Sequence, residues 1–437
     1  MKYEEALSYI SNTNKFGEKS GLSGIMRLCE KLGNPQDSLK YIHIAGTNGK
    51  GSTATYIAEV LKLSGYKTGL FTSPFIYEFN ERIKINGQNI SDDELARCMT
   101  EVKLKTDELI KAGYPHPTEF EIITATAFLY YNMKKCDIVV LEVGLGGRFD
   151  STNIIKEPLC SVICTIGYDH MQYLGDTLSE IAFEKCGIIK ENCPVVCYPY
   201  YNREVTDVIK EIAKDRKAPL ICVNKGNIII KKQDFEGSIF DFSNIEDIQT
   251  SLCGEHQVYN AAVAIEVINV LKKQGFEIDE ATIKKGIKDT KWPARMEKLL
   301  EDPCVIFDGA HNLDGMQMLV KNINKMADEK RKIVVLGMVK DKDYKKCIEL
   351  LDGVADVLIT TNIQNPRGES AQMLIEAAEN IKCIKYVTNS VKEALKQAFS
   401  VCGEDSIIFS LGSLYMANEV KNEIVAIKSI NEKKLEN

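Results

Sequence analysis

The sequence contains no Cys-x-x-Cys pair. Its 14 cysteines are scattered along 437 residues. The closest, Cys160/Cys164 and Cys193/Cys197, have three residues between them. A zinc ribbon and a thioredoxin-type motif are therefore not expected. Scattered, unpaired cysteines in a large chain fit a reducing cytosol, where the thiol packs as a small apolar group. No apolar signal region follows Met1, and apolar runs such as 138–141 are only strand-length. Neither export nor a membrane span is expected. Positive charge is not in excess: 55 Lys+Arg against 62 Asp+Glu leave a net −7. Such a chain offers no general field for a nucleic-acid backbone, so an anionic ligand needs a local site. Internal repeats and low-complexity tracts are also missing. What remains is a cytoplasmic, soluble chain, 44% hydrophobic and 27% charged, long enough for two large domains without staples.

Short β-branched runs recur at 41–45, 138–143, 161–165, 194–197, 305–307, 333–336, 357–360 and 407–409. Helical periodicity follows most of them, at 53–63, 177–186, 313–326, 344–350, 370–378 and 391–398. Strand–helix alternation predicts α/β layers around mainly parallel sheets. Ligands in such sheets bind at the carboxyl ends of strands. Residues 220–250 differ. They are polar and β-rich with Gly226 and Gly237, and read as an antiparallel insertion or sheet edge. A boundary near Lys291-Trp292-Pro293-Ala294-Arg295 divides the chain into domains 1–296 and 297–437.

The strongest local signal is Gly46-Thr47-Asn48-Gly49-Lys50-Gly51-Ser52-Thr53, directly after the apolar strand 41–45. Glycines let backbone N–H groups turn towards phosphate oxygens, and a helix N-terminus adds a positive dipole. Lys50 is placed on the β/γ-phosphates and Ser52 or Thr53 at the helix cap. The spacing departs from the common P-loop pattern: Ile44 stands where the first Gly is expected, and Gly51 separates Lys50 from Ser52.

The strand 138–142 ends in Glu142, where P-loop proteins place a Mg²⁺-binding acid. Gly144-Leu145-Gly146-Gly147-Arg148-Phe149-Asp150 follows. As a dinucleotide fingerprint it is weak, because Phe149 stands at a glycine position and the preceding strand ends in an acid. It reads better as an active-site loop with Arg148 and Asp150 free to meet substrate. His170 lies just past another strand beside Asp169, a position that suits a metal or phosphate. Lys185, taken alone, reads as a solvated helix-end lysine.

Taken together, these segments resemble the folylpolyglutamate synthase/dihydrofolate synthase family, part of the Mur ligase superfamily. The resemblance rests on the Gly46–Ser52 loop, Thr72-Ser73-Pro74 with Asn80-Glu81-Arg82-Ile83, and Leu141-Glu142-Val143-Gly144-Leu145-Gly146-Gly147-Arg148. It continues through Asp169-His170, Glu184-Lys185-Cys186-Gly187-Ile188, His256-Gln257 with Asn260-Ala261, Trp292-Pro293-Ala294-Arg295-Met296-Glu297, Asp308-Gly309-Ala310-His311-Asn312 and Gly412-Ser413-Leu414-Tyr415. It implies a P-loop central domain with a mainly parallel sheet and a smaller, Rossmann-like C-terminal domain. It also implies an ATP-dependent amide ligase in which a folate or pteroate carboxylate becomes an acyl phosphate and L-glutamate attacks it.

The resemblance further implies roles for residues. Asn48, Gly49, Gly51 and Ser52 would hold ATP with Lys50, joined by Asn260 at the base, Arg295 at the phosphates and Asp308; His311 would lie on the same rim. Ser73 and Glu142 would hold one Mg²⁺, and His170 with Glu142 a second. Lys185 would be carbamylated. Thr118, Glu119, Phe120, Glu121, Phe149, Asp150 and Ser151 would contact the pteroate. Read without the resemblance, Thr118 is a helix cap, Phe120 is core, Asn260 is an ordinary helix residue, Arg295 is a surface linker and Asp308 is an N-cap. Two departures lie towards the substrate side: Phe75 stands where the family often has His, and Gly21-Leu22-Ser23-Gly24-Ile25 lacks an acidic–Arg pair. Small-molecule substrates and a monomer are expected. The alternatives are a muramyl-peptide ligase, disfavoured by only about 45 residues before the loop, a non-ligase P-loop protein, and an NAD-dependent oxidoreductase.

Overall fold

Aliphatic and β-branched runs that are buried on both faces need cover on both sides, and parallel sheets supply it. The computed structural model describes residues 1–13, 21–199 and 202–435. Its first sheet contains β1 (Tyr41–Ala45), β2 (Thr68–Phe71), β3 (Ile83–Ile85), β4 (Gln88–Asn89), β5 (Ile138–Glu142), β6 (Cys160–Ile163), β7 (Val195–Cys197) and β8 (Leu220–Cys222). The spatial order is β4-β3-β2-β5-β1-β6-β7-β8. From β2 to β8 every neighbouring pair is parallel. β3 and β4 continue the sheet antiparallel. One face carries a core built on Leu28, Met99, Phe128 and Tyr131; another core gathers Val143, Ala182, Ile188 and Ile209.

By internal contacts the chain divides into two units. The first comprises Met1–Ile229, Phe240–Gln249 and Val258–Thr290; the second comprises Ile230–Ile239, Thr250–Gln257 and Lys291–Asn437. A three-stranded sheet of β9 (Ile228–Asp234), β10 (Gly237–Phe242) and β11 (Ile245–Thr250) has residues in both. The second unit holds β12 (Glu297–Leu300), β13 (Cys304–Phe307), β14 (Arg331–Leu336), β15 (Val357–Thr361), β16 (Ile384–Thr388) and β17 (Ser406–Leu411). Their order is β12-β13-β17-β14-β15-β16, parallel except for the edge strand β12.

Several elements differ from the sequence reading. Residues 220–222 pair parallel with β7, so the separate small sheet begins at Ile228 rather than 220. The helix Glu119–Met133 escapes a periodicity search because it is buried nearly all round, with no polar stripe to mark its register. β16 is an edge strand whose Ile384 and Val387 are exposed, so its pattern does not alternate. The strand at 305–307 is not the first of its domain, because β12 precedes it and adds antiparallel to it. Among the described residues no helix is long and apolar enough to cross a membrane.

Tyr131 shows how polar groups are settled in the core. Its ring is fully buried and its hydroxyl donates to the Leu70 carbonyl of β2 at 2.7 Å. Tyr131→Phe is expected to lower the unfolding free energy by about 1 kcal/mol in urea titration. Tyr114→Phe, at an exposed site, should stay within about 0.5 kcal/mol of the parent.

Candidate active site

Four neighbouring parallel strands, β2, β5, β1 and β6, end on one edge of the first sheet, where the strand order reverses. Crevices at such switch points collect ligands. β1 runs into Gly46-Thr47-Asn48-Gly49, and the helix Lys50–Leu63 starts at once. Gly49 caps that helix in the left-handed region at φ 86°, so neither Ser52 nor Thr53 is the cap. Both lie buried in its first turns. A Cβ on Gly46 would lie 2.6 Å from Cys164 Cβ, and one on Gly49 would lie 2.6 Å from Asn260 Oδ1. Asn260, buried in the helix Glu255–Lys273, is thus packed on the loop rather than being an incidental helix residue. Past the end of β6, Thr165 binds the loop from the other side. Its carbonyl accepts from Thr47 N at 2.6 Å and its hydroxyl accepts from Asn48 N at 3.2 Å. The sequence reading missed Thr165; its place just beyond a strand next to β1 was the available signal.

Lys50 folds back over the loop, donating to the carbonyls of Gly46 (3.0 Å) and Thr47 (3.1 Å). Lys185 reaches the same Gly46 oxygen at 3.0 Å. Far from being a solvated helix-end lysine, it is 4% exposed. The reason is local: the helix Leu178–Cys186 ends against the glycine-rich loop, where Gly147 lies under the Lys185 carbonyl and Arg148 N donates to Glu184 O at 2.8 Å. Burial first, and the Lys50 charge second, lower the Lys185 amine to about 7.

Ser73, past the end of β2, and Glu142, at the end of β5, meet: Ser73 N donates to Glu142 Oε2 at 3.1 Å. Glu142 is 4% exposed. Buried Arg82 donates to Ser73 Oγ at 3.0 Å, and its guanidinium lies 5.3 Å from the Phe75 ring centroid and 5.5 Å from that of Phe79. Phe75 thereby orients Arg82. His170 has a left-handed backbone (φ 53°), and its Nε2 lies 3.8 Å from Asp169 Oδ1. Among the described residues, no three His, Cys, Asp or Glu side chains are arranged to hold a metal.

The loop after β5 needs one correction. Asp150 is not free to meet substrate. It is buried, and accepts from Leu145 N at 2.9 Å and Thr152 N at 3.0 Å. Desolvation raises its pKa, and these bonds oppose the rise. Thr152 Oγ1 also donates to Asp150 and lies 2.8 Å from Nε2 of fully buried His43, so Asp150 staples the loop down to β1. Burial lowers His43 to about 3, which keeps the ring neutral. Ser151 is buried, whereas Phe149 is 59% exposed beside Gly21. Thr118 caps the helix Glu119–Met133 in a capping box with Glu121, as its residue type alone suggested. Phe120 lies over Gly144, and Glu119 is half-buried on the same turn.

In the second unit, Arg295 is flanked by two non-glycine residues in the left-handed region, Ala294 (φ 57°) and Met296 (φ 43°). Each costs about 1–2 kcal/mol. Asp308 holds the bend by accepting from Met296 N (2.8 Å) and Ala310 N (2.7 Å), and Gly309 N donates to Ala294 O at 3.0 Å. Asp308 is therefore not an N-cap; Asn312 caps the helix Leu313–Met326. Burial raises the Asp308 pKa, and the Arg295 guanidinium opposes that rise. His311 Nδ1 lies 2.7 Å from Gly309 O.

Comparison with known proteins gives this architecture its class. Residues 44–268 match the Mur ligase middle domain, and residues 294–414 match the Mur ligase glutamate ligase domain. The chain belongs to the Mur ligase family. Within that family it is 38% identical to the dihydrofolate synthase/folylpolyglutamate synthase of Bacillus subtilis (strain 168), over 97% of this chain and 99% of that one. The crystal structure of folylpolyglutamate synthase from Thermotoga maritima superposes with a TM-score of 0.85 at 32% identity, covering 97% and 96% of the two chains. The Escherichia coli FolC in complex with DHPP and ADP gives a TM-score of 0.86 at 27% identity, covering 98% and 99%.

The burial of Lys185 predicts a pH signature. In the unfolded chain the amine keeps its proton to about 10.5; in the fold it loses it near 7. Below 7 both states are charged and the cost of burying that charge is fully present. Above 7 the folded state sheds the proton first, so stability rises with pH towards 10.5. In buffer free of carbon dioxide, Lys185→Met should reduce the slope of unfolding free energy between pH 7 and 9 by up to about 1.4 kcal/mol per pH unit. Equal slopes in parent and variant would contradict a buried, depressed amine.

Proposed function

We propose that the protein is a cytoplasmic ATP-dependent ligase, a folylpolyglutamate synthase that joins L-glutamate to the carboxylate of tetrahydrofolate and also of dihydropteroate. The observation that carries this reading is the convergence of the Gly46–Lys50 loop, Ser73 and Glu142 at adjacent carboxyl ends of one parallel sheet. A carboxylate is a poor electrophile, and phosphoryl transfer from ATP converts it to an acyl phosphate. The glutamate amine then attacks the carbonyl carbon, and inorganic phosphate leaves with the carbonyl–oxygen bond pair.

The chain's own groups suit these steps. Lys50, freed from the loop carbonyls, would neutralise β- and γ-phosphate charge, and Asn48, Gly49, Gly51 and Ser52 would supply N–H groups at the helix start. Asn260 would bound the nucleotide where it meets Gly49. Ser73 and Glu142 are oxygen donors of the kind Mg²⁺ selects, and they fit one such ion; His170 with Glu142 is assigned a second. When bound, the metal offsets the repulsion between ATP and a carboxylate substrate. Arg295, Asp308 and His311 of the second unit are assigned to ATP and the reacting groups on the strength of the resemblance. Thr118–Glu121 and Phe149–Ser151 are assigned to the pteroate, with exposed Phe149 as the stacking surface and Asp150 as the brace beneath it.

Carbamylation of Lys185 follows the same logic. An amine near 7 is half neutral at physiological pH, and its lone pair can attack carbon dioxide. The carbamate would turn a buried cation into an anion. Isotope-labelled bicarbonate should give a carbamate signal by ¹³C NMR that Lys185→Met loses.

With ATP, Mg²⁺ and glutamate, phosphate release should be stimulated by dihydropteroate or tetrahydrofolate and stopped by a chelator. Lys50→Ala and Glu142→Ala should each lower turnover by about 100-fold or more without unfolding the protein. No stimulation by either acceptor would refute the ligase reading.

A further inference from the structure

Two cysteines lie together at the carboxyl ends of β7 and β8, the two strands beyond β6 in the first sheet, and neither belongs to the residues assigned to the candidate active site. Cys197 of β7 and Cys222 of β8 are direct partners in the parallel register, at the edge of the first sheet. Neighbouring strands run about 4.8 Å apart, within the Cα separation that a disulfide spans. Both side chains point to the same face, and their sulfurs are 2.9 Å apart. Cys222 is the most exposed of the 14 cysteines, whereas Cys197 is buried. A cavity of about 250 Å³ opens beside them, lined by Pro199, Thr206, Ile209 and Asn224 among others.

We propose that Cys197 and Cys222 form a thiol–disulfide exchange site that takes low-molecular-weight disulfides. The roles follow from access. Cys222 thiolate attacks one sulfur of the disulfide RSSR and forms Cys222–SR. The expelled thiolate takes the proton that Cys222 gave up. Cys197 then loses its proton and attacks Cys222 Sγ, releasing the second RS⁻, which takes that proton. Two protein thiols are oxidised to one disulfide, and one RSSR is reduced to two RSH. The electrostatics agree: the hydrogen bond from Cys197 holds Cys222 below its usual range, and Lys210 acts in the same direction. Cys197 is pushed up by that same pairing and by burial, which suits the resolving thiol.

The test uses the full-length protein and oxidised glutathione. After incubation, remaining thiols are alkylated under denaturing conditions and peptides are identified by mass. The proposal expects a Cys197–Cys222 disulfide that dithiothreitol reverses, formed at least ten times faster than any other cysteine is modified. Cys222→Ser should abolish it. Cys197→Ser should leave a persistent glutathione adduct on Cys222, because the resolving thiol is gone. The proposal is overturned if the parent keeps Cys222 unmodified. It is equally overturned if the parent accumulates the glutathione adduct while Cys197 remains open to alkylation. These outcomes are read on the parent alone, so they stand even if the Cys197 variant does not fold.

Discussion

Two lysine side chains end on one carbonyl oxygen. Lys50 and Lys185 both donate to Gly46 O, so their amines are held within two hydrogen-bond lengths, Lys185 buried and Lys50 half-buried. Like charges held so close repel, and the fold accepts that cost because the helices Lys50–Leu63 and Leu178–Cys186 fix the two stems. The result is a site short of negative charge. Depression of the Lys185 amine to about 7 is one response of the free protein to this shortage. A bound polyphosphate, or the carbamate proposed for Lys185, would be another. The loop geometry, the packing of Asn260 and the placing of the glycine-rich segment all serve to hold this pair.

The same constraint reconciles the net charge of −7 with anionic substrates. Composition averages over a surface, whereas the site depends on a few fixed groups. Arg82 illustrates the point: it is buried, lies beside two phenylalanine rings and points its guanidinium at Ser73. Arg295 is fixed differently, by a bend with two left-handed residues that Asp308 and Gly309 hold in place. In each unit a cation is thus held in place by groups of the fold itself.

Much of this was legible in the sequence, and the reasons for success and failure are physical. Strand–loop–helix at 41–63 was readable because a buried strand, glycines and a lysine occur in immediate succession. Parallel α/β architecture was readable because strands covered on both faces are apolar runs. The start of the helix Glu119–Met133 was readable from Thr118, but its extent was not, since burial all round removes the periodicity that marks a helix. Lys185 was misread from its residues alone because burial is a property of the packed loop at Gly147, which no local pattern encodes. Asp150 was misread for a related reason: the partners that occupy its oxygens, Leu145 and Thr152, are near in sequence, but the need to tie the loop to His43 arises only when β1 lies beneath it.

The central claim is that this site holds two lysine amines, one of them depressed to about 7, poised for an anion. Calorimetric titration of ATP into the protein at pH 7.5 (just above the value of about 7 at which buried Lys185 titrates), in carbon-dioxide-free buffers of differing ionisation enthalpy, tests it most directly. An arriving polyphosphate should raise the Lys185 pKa, so binding should take up protons, and Lys185→Met should abolish that uptake. ATP binding without proton uptake, or the same uptake in the variant, would contradict the account.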